Sequence, residues 1–139
     1  MANWLPRTQV PAQQVAVTQT TTPLLPGASA LLELPGLGRL GHFIAISTNA
    51  PAWLSFYSSA ATREADGGRP ITQDPAPGSG VLLDLATTAS ALSVTAPPGG
   101  TYFSTEQAPA IPVLRAVVRN TGTAQAAIAV TVTAVVLAP

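Results

Sequence analysis

Apolar and polar residues alternate with period two along most of this chain, and Pro and Gly interrupt the alternation at short intervals. Period two places successive side chains on opposite faces of an extended strand, so each run predicts one half-buried strand. Eight runs qualify: 13–22 (QQVAVTQTTT, with Val15 and Val17 on one face), 28–34 (ASALLEL), 40–47 (LGHFIAIS) and 52–58 (AWLSFYS), then 79–86 (SGVLLDLA), 90–96, 111–119 and 126–137. Short strands separated by turn signals predict an all-β sandwich or barrel. We expect a single antiparallel β-sandwich, jelly-roll or immunoglobulin-like, of about eight strands.

The last two runs are the clearest. Leu114, Ala116 and Val118 fall on one side of their strand, with Arg115 and Arg119 opposite. Ile128, Val130, Val132, Ala134 and Val136 share a face of the final strand, and Asn120-Thr121-Gly122 supplies turn chemistry between the two. The pattern predicts a hairpin with one buried and one wetter face. Helical composition occurs only at 58–65 (SSAATREA), where Ser58 or Ser59 can cap a turn or two. Residues 70–80 and 97–109 read as long loops, the usual sites of partner contact. Pro6 and Pro11 make 1–14 an extended arm ahead of a sandwich domain at 15–139, and its apolar Trp4, Leu5 and Val10 are candidate partner contacts.

Composition narrows the function classes. Of 139 residues, 47% are hydrophobic and 9% charged, so the chain folds tightly or buries surface against partners. Its six basic residues are all Arg, balanced by six acids. Nothing resembles the clustered positive charge of a nucleic-acid binder. Near-zero net charge without Lys to guard the strand edges favours association, and a homo-oligomer is expected. The chain has no Cys for a disulfide or thiolate site. The N-terminal residues lack the apolar core of a secretory signal, and the apolar stretch 126–137 is shorter than the ~20 residues needed to span a bilayer as a helix.

Several motifs invite a chemical reading. Gly36-Leu37-Gly38-Arg39-Leu40-Gly41 matches GxGxxG, but a dinucleotide site needs a helix next, and HFIAIS continues as a strand. Glycines of a strand-to-strand connection account for it better, so no cofactor is expected. His42 is the only histidine, and without Cys it has too few partners for a metal or a triad. Asp66, Asp74 and Asp84 lack the alternating spacing of a calcium loop. Arg63, Glu64, Asp66, Arg69 and Asp74 crowd opposite charges into one segment, which predicts an Arg–carboxylate network pinning a loop. Trp53 and Tyr57 share a strand face as core residues or, alternatively, as a sugar-stacking platform.

The string FYSSAATREADGGRPITQDPAPGSGVLLDL, residues 56–85, resembles a segment of small virion proteins of tailed bacteriophages. The features carrying the likeness are Tyr57, Ser59-Ala60-Ala61, Arg63, Asp66, Arg69, Asp74-Pro75, Gly78-Ser79-Gly80 and the strand 81–85. The resemblance implies a non-enzymatic virion component, assembled in the host cytoplasm, whose partners are the major capsid protein or tail proteins and copies of itself. A capsid decoration or cement protein is the leading expectation, with no nucleic-acid or membrane partner. A tail-tip, baseplate or fibre-attachment accessory is the alternative, as is a carbohydrate-binding module for host recognition.

Overall fold

Strands form on or beside every run that the alternation marks. The computed structural model describes residues 12–97, 99–107 and 110–139, so Trp4, Leu5 and Val10 lie outside the described residues. Among them are β1 (Gln13–Leu24), β2 (Ser29–Pro35), β3 (Leu40–Thr48), β4 (Ala52–Tyr57), the helix α1 (Ala60–Asp66), β5 (Val81–Ala86), β6 (Ser93–Thr95), β7 (Thr101–Phe103), β8 (Val113–Asn120) and β9 (Ala126–Ala138). Gln13 and Gln14 already pair with β9, so the strand takes two residues assigned to the arm. The short β7 lies inside the expected 97–109 loop.

The strands form two antiparallel sheets. The first runs β1-β9-β3-β6, with β7 also paired to β3, and the second runs β2-β8-β4-β5. Since β6 pairs with Ala45–Ser47 and β7 with Leu40–His42, they act as two halves of one interrupted strand along β3. The pairs β1·β9, β2·β8, β3·β6/β7 and β4·β5 are those of one long hairpin rolled up on itself. Rolling then brings β3 beside β9 and β4 beside β8. This is the jelly-roll wind.

That topology corrects the expected terminal hairpin. β8 and β9 lie in different sheets, joined by a corner at residues 121–125. Buried Asn120 holds the corner, donating from Nδ2 to the carbonyls of Leu24 (2.8 Å) and Ala124 (2.9 Å) and accepting from the Gly122 N–H (2.9 Å). Both strands turn their apolar rows inward, so those rows face each other across the sandwich. Alternation marks the buried face of each strand equally well in either arrangement.

The core fills the gap between the sheets. Phe43, Ile46, Ile128, Val130, Val132 and Ala134 of the first sheet meet Leu32, Leu34, Leu54, Phe56, Leu114, Ala116 and Val118 of the second. Phe43 sits tilted between Phe56 (ring centroids 5.3 Å apart) and Tyr102 (5.0 Å). At a bulge in β1, the Thr21 hydroxyl accepts from the Ile128 N–H at 3.0 Å and supplies an acceptor where the ladder shifts register.

The GxGxxG residues make the β2–β3 connection and enter β3. Gly36 and Gly38 have φ of 90° and 69°, and a Cβ on Gly38 would stand 2.3 Å from the Ala138 carbonyl oxygen. Beneath the loop, buried Tyr102 donates its hydroxyl to the Leu37 carbonyl at 2.6 Å. Burial pushes the Tyr102 pKa up to about 12. A raised folded-state pKa means that this stabilisation is complete below the unfolded value of about 10 and fades as pH rises towards the folded one. Stability measured by urea titration is therefore expected to fall between about pH 10 and pH 12, and Tyr102→Phe is expected to shrink that fall. An unchanged alkaline limb in the variant would contradict the assignment.

Candidate functional site

Between β4 and β5 the chain leaves the second sheet for residues 58–80 and lays α1 against its outer face. Ser59 caps α1, its hydroxyl accepting from the Thr62 N–H (3.1 Å) while the Thr62 hydroxyl accepts from the Ser59 N–H (3.2 Å). The helix occupies 60–66, one to two residues later than its composition suggests. The neck of the excursion is closed by the Ser58 N–H donating to the Gly80 carbonyl at 3.0 Å.

Under this cover, period two turns Trp53, Ser55 and Tyr57 of β4 away from the core and into a polar network. Trp53 is 6% exposed and Tyr57 1%. Asp84, opposite Ser55 on β5, accepts from Trp53 Nε1 (2.7 Å), Ser55 Oγ (2.6 Å) and Arg69 Nη1 (3.1 Å). Asp66 accepts from the Tyr57 hydroxyl (2.6 Å) and from Arg69 Nε (3.0 Å). Arg119, from β8, lies 3.6 Å over the Trp53 ring and donates to Ser55 Oγ at 3.1 Å.

The pKa directions follow from this packing. Burial pushes the Tyr57 phenol up, and its bond to Asp66 adds to that. Burial opposes ionisation of Asp84, but hydrogen bonds from Ser55, Arg69 and Trp53 outweigh it and hold its carboxyl below the usual value. Burial likewise opposes the Arg69 charge, and its bonds to Asp66 and Asp84 more than compensate, so its pKa is raised.

A second ionic group lies along the same face. Arg115 bridges Glu33 and Glu106, and buried Arg63 reaches the Leu32 carbonyl (3.2 Å) and Glu33 (3.7 Å). Burial lowers the Arg63 pKa, and the neighbouring Arg115 charge lowers it further.

No protein-family model, no curated protein and no solved structure matches the chain.

The expected cluster of Arg63, Glu64, Asp66, Arg69 and Asp74 is therefore divided. Asp66 and Arg69 pair with each other, while Arg63 joins Glu33 on the second group. Glu64 and Asp74 are exposed and make no salt bridge among the described residues. Nearness in sequence favoured Asp74; the fold brings in Asp84 instead, because β5 returns beside β4. A signal for Asp84 was available, since a carboxylate inside the apolar run VLLDLA needs partners to be retained there. Glu33 in SALLELP carries the same signal. His42 is exposed and shares a 3.1 Å hydrogen bond with Thr101.

Proposed function

We propose that this chain is a non-enzymatic structural module that joins a multi-copy assembly through its first sheet, as a capsid decoration or cement protein of a tailed phage. The observation that carries this reading is an asymmetry of charge. The five strands of the first sheet contain no Asp, Glu, Lys or Arg, whereas the second sheet and its covering excursion carry charges in abundance. The outer surface of the first sheet aligns Ala16, Thr18 and Thr20 of β1 with Thr133, Thr131 and Ala129 of β9. Ala45 and Ser47 of β3 continue the rows beside Thr133 and Thr131, and Thr95 and Ser93 of β6 end them.

Such a face is inexpensive to dehydrate, because no ion has to leave water. Some hydroxyls already satisfy one another, as Thr18 and Thr131 do at 2.7 Å. β1 adds a 12-residue edge strand without a charged residue, the kind of edge that pairs readily with another chain. Placement on a virion rests on the resemblance of residues 56–85; the jelly-roll wind also serves lectins and cupins and does not decide between them. With Trp53 and Tyr57 buried beneath the excursion, the two rings offer no open face on which a sugar could stack, so that form of the carbohydrate-binding alternative loses its platform. The tail-accessory alternative would use the same surface.

Sedimentation of the full chain tests the self-association. The chain is expected to sediment well above its 14.1 kDa monomer mass. Thr131→Arg, which places a charge in the middle of the neutral face, is expected to give monomers with an unchanged β signal in circular dichroism. A monomeric parent, or an oligomer indifferent to the substitution, refutes assembly through this face. Gold-labelled antibody on purified particles then distinguishes capsid from tail, and unlabelled particles refute the virion placement.

A further inference from the structure

Arg69 and Arg119 flank Trp53 at the edge of the covering excursion, beside a pocket of about 340 Å3. That volume lies within the roughly 300–1,000 Å3 range of small-molecule sites. Both guanidiniums keep donor capacity in reserve. The Arg69 side chain is only 5% exposed, and its Nη2 is the one buried side-chain nitrogen or oxygen among the described residues without a hydrogen-bond partner. Arg119 is 8% exposed and has no carboxylate within salt-bridge distance among the described residues. Its Nη2 makes only a long 3.4 Å contact to the Gly67 carbonyl. A buried cation held by a ring face and neutral oxygens lacks the countercharge that such groups normally have.

We propose that this pocket binds a carboxylate carried on a ring-sized molecule, of the hexuronic-acid class. Asp66 and Asp84 are the acids facing the arginines, and both already take donors from Arg69. The anion therefore complements Arg119, whose Nη2 holds only the long Gly67 contact and whose paired N–H groups suit a carboxylate, with the Arg69 guanidinium lining the same pocket. Past the arginines, Ser29 and Thr121 line the pocket, and their hydroxyls hold no side-chain hydrogen bond among the described residues. They are available to the hydroxyl groups of a sugar ring. The pocket belongs to the second sheet, so its occupancy does not depend on association through the first.

Calorimetric titration of the full chain with glucuronate, glucose and acetate tests this. Glucuronate is expected to bind with a dissociation constant on the order of 1 mM, with glucose and acetate at least roughly tenfold weaker. Gly68→Asp sets a negative charge at the lip, where a Cβ meets no atom within 4 Å. It is expected to leave the melting temperature unchanged and to weaken glucuronate by roughly tenfold or more. Thr121→Glu provides a second like-charge variant at an exposed lip position. Failure of glucuronate to bind, equal binding of acetate or glucose, or retained affinity in both variants overturns the proposal.

Discussion

Gly41→Ala is expected to destabilise the fold by about 3–5 kcal/mol, a large part of a typical domain's stability. A Cβ at position 41 would stand 2.2 Å from the Tyr102 hydroxyl oxygen, 2.4 Å from its Cζ and 2.5 Å from the Val135 carbonyl oxygen. None of these can retreat cheaply. Tyr102 is fully buried, wedged against Phe43 and bound to Leu37, and Val135 lies opposite His42 in the β3–β9 ladder. Relief requires either moving the phenol, which strands the Leu37 carbonyl, or spreading two central strands. Urea unfolding measures the loss, and a cost below about 1 kcal/mol would show that the contact relaxes freely. In a Tyr102→Ala background the same substitution is expected to cost less, since two of the three close atoms are gone.

Asp84→Ala ranks second, at an expected ~2–3 kcal/mol, because the carboxylate is itself a quarter exposed while the donors it satisfies are buried. It removes the acceptor of the Trp53 indole N–H, of Ser55 and of one arm of Arg69 in a single step. Trp53 and Ser55 lie under the excursion and the Arg69 side chain, part of it, is only 5% exposed, so water replaces the lost partner poorly. The pH dependence carries a separate signature. The Asp84 carboxyl titrates below its usual value in the fold, so its stabilisation is present above the unfolded value of about 3.9 and disappears as pH falls below that. The parent is expected to lose stability on acidification through this range, and Asp84→Ala to lose less of its own. Parallel acid limbs in the two proteins would mean that Asp84 is not the group responsible.

These substitutions also mark how far local pattern reaches. The GxGxxG glycines were legible as a strand connection because the residues after them are β-formers. The reason Gly41 tolerates no side chain is Tyr102, sixty-one positions away in sequence and adjacent only through the β3–β7 pairing. The charged segment 63–74 announced a network, and Asp66 with Arg69 belongs to one, yet its central acceptor is Asp84 and its aromatic floor is Trp53. Alternation places Arg115 and Arg119 on the face opposite Leu114, Ala116 and Val118, where they lie; their partners come from elsewhere, Glu33 from β2, Glu106 from the β7–β8 connection and Trp53 from β4.

The sequence by itself determined the class of the fold, the approximate strand positions and the side of each strand that is buried. Those properties depend on alternation, turn residues and β-propensity, all carried by neighbours in the chain. Tertiary structure decided which strand lies beside which. The turn after Asn120 suits a hairpin as well as a corner between sheets, and the apolar rows of β8 and β9 are buried in either arrangement. What selects the corner is the joint packing of two inner faces, with β8 held between β2 and β4 and β9 between β1 and β3. Pairing of that kind is settled by contacts among residues far apart in the chain, and the order of residues within any one strand does not encode it.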